Sequence, residues 1–358
     1  MTQKKDAGIL AVDVGSGTQD ILVWNPETTI ENCTKMVVPS ATRILARRIE
    51  KETLEGRHIF LTGTTMGGGP CAAAVRRHLR AGLRVFALPK AALTFHDNLD
   101  KVREMGVEVV RNRPSVSPLS ELVMRDMDLE AVGAVLERFG VSLPPMIAVA
   151  VQDHGFSPNA SNRRFRFSLW SDLLAAGTGL EGMLYADPPP HLTRMLAVKE
   201  QVPRAWVMDT GAAAMLGALL DPWISQRLEQ GVTVINIGNE HTVAALIKGS
   251  KLWGIYEHHT SLLSEEKLED HLERFRRGRL SGEEVFQDMG HGCRVVEGTA
   301  EAGPFPHLGI TGPKRGRFPG LGGHMAAPFG DMMLTGCFGL VEALQRTISA
   351  CPKPADRV

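Results

Sequence analysis

One order of elements occurs twice in the sequence, and that repeat limits the fold more than any other feature. Residues 9–14 are a short run of branched apolar residues ended by Gly15, Ser16 and Gly17. A second such run starts at 20–24 and a third at 35–38. Residues 232–237, Gly238, 242–247 and 251–256 give the same strand, glycine turn, strand, strand order. We read the pair as an internal duplication of pattern more than of identity. Between the copies, apolar runs at 58–61, 85–88, 107–110 and 146–151 alternate with helical spacing at 41–55, 71–81, 98–105 and 129–139. Strands separated by helices predict an α/β fold with a largely parallel sheet.

Length and composition set the scale. At about 150 residues per domain, 358 residues predict two domains. We expect an N-terminal lobe over 1–205 with an inserted segment, a C-terminal lobe over 206–350 and a polar tail at 351–358. The irregular stretch 157–166 and Pro188-Pro189-Pro190 are the expected linker or insertion. Forty basic and forty acidic side chains cancel, which excludes the basic field of a nucleic-acid binder, so no nucleic-acid partner is expected. No apolar run reaches the roughly 18 residues of a membrane span, and the first residues lack the pattern of a signal peptide. Five scattered cysteines fit reduced thiols and a cytoplasmic location.

The glycine turns carry the chemistry. Asp13 ends a strand, and Gly15-Ser16-Gly17-Thr18 follows with amides and hydroxyls that can converge on an anion. A carboxylate in that place can hold Mg2+ through water. Asn236-Ile237-Gly238-Asn239-Glu240-His241-Thr242 repeats the turn after a helix of small residues at 209–218. Later, Thr311-Gly312-Pro313-Lys314 ends a strand, and a second small-residue helix covers 334–340. In this order the five elements resemble the nucleotide-binding signature of the actin, sugar kinase and heat-shock chaperone ATPase superfamily. The resemblance implies a two-lobed actin-like, ribonuclease H-like fold with duplicated βββαβα lobes closing over ATP. It implies Gly15, Ser16, Gly17 and Thr18 in a first phosphate loop and Gly238, Asn239 and Thr242 in a second. Thr311 and Gly312 would lie by the adenosine, and Asp13 would be the Mg2+ and catalytic residue, with Asp209 or Glu240 as helpers. Asn236 stands where the superfamily often has an aspartate, and Pro313 where its adenosine loop often has glycine.

Over its whole length the chain also resembles a family labelled "putative pyruvate formate-lyase activating enzyme". The residues that carry this are Gly15-Ser16-Gly17-Thr18-Gln19-Asp20, Met66-Gly67-Gly68-Gly69-Pro70, Val151-Gln152-Asp153-His154-Gly155, the Asn236 to Thr242 turn and Gly290-His291-Gly292-Cys293. The label implies a radical enzyme, which needs three cysteines spaced C-x3-C-x2-C for an iron–sulfur cluster. The nearest pair in this chain, Cys337 and Cys351, is fourteen apart, so radical chemistry is rejected as a direct activity.

Three further groups are candidates. Gln152-Asp153-His154-Gly155 ends an apolar strand and is similar to a Gln-x-His-Gly substrate loop of some sugar kinases, with Asp153 or His154 as general base and Gln152 and His154 as substrate-binding residues. The alternative is a polar strand cap. Gly67, Gly68 and Gly69 precede a helix and either hold an anionic substrate or permit close packing. His241, His258, His259, His291 with Cys293, and His324 are either zinc or iron ligands or scattered cleft histidines. The expected function is ATP hydrolysis or phosphoryl transfer to a small-molecule acceptor. The alternatives are a slow nucleotide switch that activates a partner enzyme, and a metal-binding scaffold with a degenerate nucleotide cleft.

Overall fold

The computed structural model describes residues 8–350; the tail expected at 351–358 lies outside them. Strands β1 (Ile9–Val14), β2 (Thr18–Trp24) and β3 (Thr34–Pro39) form an antiparallel meander. The chain then leaves this sheet and builds another. In it, β4 (His58–Gly63), β5 (Val85–Ala87), β6 (Val107–Val109) and β7 (Leu119–Met124) run parallel in the order β6-β5-β4-β7. It returns with β8 (Met146–Val151), parallel to β1, and adds β9 (Leu184–Tyr185) and β10 (Trp206–Asp209). The first sheet therefore reads β3-β2-β1-β8-β10-β9.

The second half repeats this plan. Strands β11 (Val232–Ile237), β12 (His241–Lys248) and β13 (Lys251–His259) are an antiparallel meander, extended by β14 (Gly292–Val295). Strand β15 (His307–Thr311) lies parallel to β11, and β16 (His324–Met325) closes the order β14-β13-β12-β11-β15-β16. Each half thus has three antiparallel strands and a return strand parallel to the first. This duplicated plan is the actin-like, ribonuclease H-like α/β fold.

Alternation explains the core. On β1, Ile9 and Ala11 enter one cluster while Leu10, Val12 and Val14 enter another; a central strand buried on both faces needs apolar residues throughout. The first cluster also holds Val232, Val234, Val243 and Ala245 of the second lobe, so the two lobes share one core. Its centre is a pair of crossing helices, Thr210–Ala218 and Thr335–Ala350. Gly217 faces the Thr335 carbonyl and Gly339 faces the Ala213 carbonyl so closely that neither place has room for a Cβ. The helix after β10 packs on β11, and the helix at the end of the second lobe packs on β1, so each of the two helices contacts the sheet of the opposite lobe.

Four details differ from the sequence reading. Strand β10 is hydrogen-bonded to β8, so the first sheet extends past residue 205. The inserted unit is the parallel sheet of β4 to β7, not the segment after Asp153. That segment contains a long helix, Asn162–Ala176, whose buried positions are Arg166, Trp170, Leu173 and Leu174. The spacing is helical, but an arginine occupies an apolar position and breaks the hydrophobic stripe. The spacing of Ser281 and Glu284 predicts a capping box for the helix Gly282–Gln287, but the Ser281 side chain makes no cap hydrogen bond and the Glu284 carboxylate pairs with Arg274.

Candidate functional site

The parallel strands of both lobes end at one cavity of about 330 Å³. Ligands of α/β sheets bind beyond the carboxyl ends of strands, and here five such ends converge. Asp13 and Gly15 follow from β1, Gln152 and His154 from β8, and Thr210 from β10. From the other lobe, Gly238 and Asn239 follow β11, and Gly312 and Pro313 follow β15.

The two glycine turns have the same internal geometry. Gly15 N donates to Thr18 O at 3.0 Å, and Gly238 N donates to His241 O at 2.9 Å. A Cβ on Gly238 would lie 2.6 Å from that same carbonyl oxygen, so the tight turn requires glycine there. The turns also meet. The Asn239 side chain fills the space beside Gly17 that a Cβ would need. Gly15, Ser16, Thr18, Gly238 and Asn239 line the cavity, whereas Gly17 does not. Thr311 and Gly312 are at the wall with Met332 and Met333, which supply an apolar surface.

Acidic groups dominate the floor. Asp13 and Asp20 pair across β1 and β2 and both line the cavity. Thr210 Oγ1 donates to Asp13 Oδ1 at 2.6 Å. Asp20 Oδ1 is buried without a partner. Burial pushes Asp13 up to about 6, and burial together with the neighbouring Asp13 pushes Asp20 up to about 8. Behind them, the buried Arg166 forks between Asp209 (Nη1 to Oδ2, 2.5 Å) and Glu257 (Nε to Oε2, 3.2 Å). Arg194 similarly binds Asp126 (Nε to Oδ2, 2.7 Å). Asp209 and Glu257 share Arg166 and Asp126 holds Arg194, which leaves Asp13 and Asp20 as cavity-lining carboxyl groups without a salt-bridge partner among the described residues, and an added cation would favour their ionised forms.

Several sequence candidates take other places. Asp153 does not line the cavity. Its carboxylate accepts from the amides of Gly155 (2.8 Å), Arg194 (2.9 Å) and Met195 (2.9 Å), so it ties its own loop to the first turn of the helix Thr193–Gln201 and is turned away from the cavity. Thr242 is fully buried, with its hydroxyl 3.0 Å from that of Thr260. Asp209 caps the helix Thr210–Ala218 while holding Arg166, so it is no free helper; Glu240 does line the cavity. Gly67, Gly68 and Gly69 do so too, at the start of the helix Gly69–Arg80. Among the histidines, His154, His241 and His259 line it, His291 lies against them, and His324 stacks on Trp223 elsewhere. Sequence reasoning missed Arg166, Arg194 and Thr210, and assigned no role to Asp20; these are isolated polar residues whose meaning comes from neighbours distant in the chain.

A family model described as "Putative pyruvate format-lyase activating enzyme" matches residues 66–317, more than half of the chain. No curated protein matches the sequence. Among solved structures, the chain is similar to the ethanolamine utilization protein EutJ from Carboxydothermus hydrogenoformans, at 12% identity over 94% of this chain and 88% of that one, with a TM-score of 0.27. It is also similar to the Aquifex aeolicus member of the Ppx/GppA protein family, at 10% identity over 75% of this chain and 60% of that one, with a TM-score of 0.28.

Proposed function

The chain belongs to the family described as putative pyruvate formate-lyase activating enzyme, and we propose that it binds ATP with Mg2+ between its lobes and hydrolyses it or passes the terminal phosphoryl group to an acceptor. The observation that carries this reading is the meeting of two equivalent glycine turns, one from each lobe, over the Asp13 and Asp20 carboxylates. A cavity of about 330 Å³ is in the range of small-molecule sites, which begin at about 300 Å³.

Each residue has a defined task in this reading. Backbone amides of the two turns and the hydroxyls of Ser16 and Thr18 bind phosphate oxygens. Met332, Met333 and Pro313 give the base an apolar wall. Thr210 holds the Asp13 carboxylate in one orientation. Mg2+ would supply charge neutralisation on the phosphates, and the oxygen donors Asp13 and Asp20 suit it. Closure of the lobes about the crossing helices would exclude water from the phosphates.

The label of the family does not extend to radical chemistry here. The four described cysteines, Cys33, Cys71, Cys293 and Cys337, are all buried, and the sequence lacks the C-x3-C-x2-C spacing. A second reading, a slow nucleotide switch acting on a partner enzyme, draws on Asp153 being tied to three amides and on Asn236 in place of an acid. Calorimetry of the wild type and Asp13→Ala with Mg2+ and ATP tests the shared premise: the substitution should abolish binding, and unchanged affinity removes the cleft assignment. Single-turnover hydrolysis then separates enzyme from switch.

A further inference from the structure

Four histidines meet beside the phosphate turns. His154 follows β8 of the first lobe; His241 opens β12, His259 ends β13 and His291 precedes β14 in the second. Ring centroids are 4.8 Å apart for His241 and His291, 5.2 Å for His154 and His241, and 5.8 Å for His154 and His291. One ring nitrogen from each of His154, His241 and His291 lies within 4.8 Å of the others.

Ordinary packing does not account for this cluster. His291 is 2% exposed, yet neither of its ring nitrogens has a hydrogen-bond partner. A neutral imidazole has one donor and one acceptor, and leaving a buried polar atom unpaired costs roughly 1–3 kcal/mol. His241 Nδ1 is also buried; it lies 3.1 Å from Glu257 Oε1 but outside hydrogen-bonding angle. Glu257 itself accepts from Trp170 Nε1 at 2.7 Å and Gln152 Nε2 at 3.1 Å. Since Arg166 is shared by Asp209 and Glu257, one negative charge is left over behind the imidazoles.

We propose that His154, His241 and His291 form a three-nitrogen site for a divalent transition-metal ion, with a further coordination position open to the cavity. The donors are imidazoles, which select Zn2+, Co2+, Ni2+ or Fe2+, whereas Mg2+ and Ca2+ take oxygen. The site is thus chemically separate from Asp13 and Asp20. Three protein ligands and one open position are the arrangement of a catalytic metal. A tetrahedral ion with metal–nitrogen bonds of about 2.0–2.1 Å holds its ligands about 3.4 Å apart, so the rings must rotate inward by up to about 1.4 Å. The same rotation can align His241 Nδ1–H with Glu257, the outer carboxylate that orients a ligating histidine. Because His154 comes from the first lobe and the other two from the second, the ion would bridge the lobes.

The site does not depend on nucleotide binding, and the test separates the two. The chelator-stripped full chain is titrated with Co2+ and followed by visible absorption. One Co2+ per chain, with the intense ligand-field bands of a four- or five-coordinate ion and displacement by Zn2+, is expected. His241→Ala and His291→Ala should each weaken binding at least about tenfold, with circular dichroism confirming the fold. His291→Cys keeps a third ligand and should add a sulfur-to-cobalt charge-transfer band, a sign that only coordination at position 291 produces. Asp13→Asn should leave Co2+ binding intact whatever it does to Mg2+ and ATP. A folded wild type that gives only the weak spectrum of hydrated Co2+ overturns the proposal, as do His291 variants with unchanged affinity and spectrum.

Discussion

Asp13 and Asp20 show how residue position changes chemistry. Both have an ordinary value of 3.8, and burial raises them to about 6 and about 8. A carboxyl with a raised folded value binds extra protons in the native state, so its contribution to stability is greatest below about pH 4 and is lost as pH climbs to about 8. Without divalent cations, the urea midpoint of the wild type should therefore fall between pH 6 and pH 8. In Asp20→Asn that fall should be much smaller; equal slopes in the two proteins would show that Asp20 is ionised throughout. Asp153, two residues past the end of β8, looks like an equally good acid in any linear reading. Its three amide partners come from Gly155 and from the helix Thr193–Gln201, and a sequence does not reveal a partner forty residues away.

At the scale of elements, close contact between the crossing helices matters most. Small residues at 211–218 and 334–340 are visible in the sequence, and the structure pairs them at Gly217 and Gly339. Gly217→Val would drive a side chain into the Thr335 carbonyl, in a place with no space to relax. We expect a loss of about 3 kcal/mol or more in chemical denaturation; a loss below about 1 kcal/mol would mean that the helices can separate freely. The helix Asn162–Ala176 teaches the opposite lesson. Arg163 donates to Gly290 O (2.6 Å), Arg164 pairs with Glu283 (2.9 Å) and Arg166 with Glu257, so the segment that reads as an irregular linker is the bracket between the lobes. Of these arginines only Arg166 is buried against a charge of the other lobe, and binary patterning is blind to a buried ion pair.

For the whole molecule, the shared core predicts coupled lobes. Thermal unfolding should show one transition, and ATP with Mg2+ at 100 times its dissociation constant should raise the stability of that entire transition by about 2.7 kcal/mol. Two transitions, with only one responding, would show that the lobes unfold separately. The duplicated meanders, the glycine turns and the small-residue helices were legible in the sequence because each rests on local rules: period-two burial, tight turns that require glycine, and close helix contact. Family membership was legible for the same reason, since its motifs are contiguous. The tertiary structure alone decided which polar residues share a cavity. It set Asp20 beside Asp13, turned Asp153 away, placed Arg166 between two carboxylates, and brought His154 to His241 and His291 across the lobes. Those relations depend on contacts between segments up to about 140 residues apart, and on the low dielectric created when they pack, neither of which is written in any one stretch of chain.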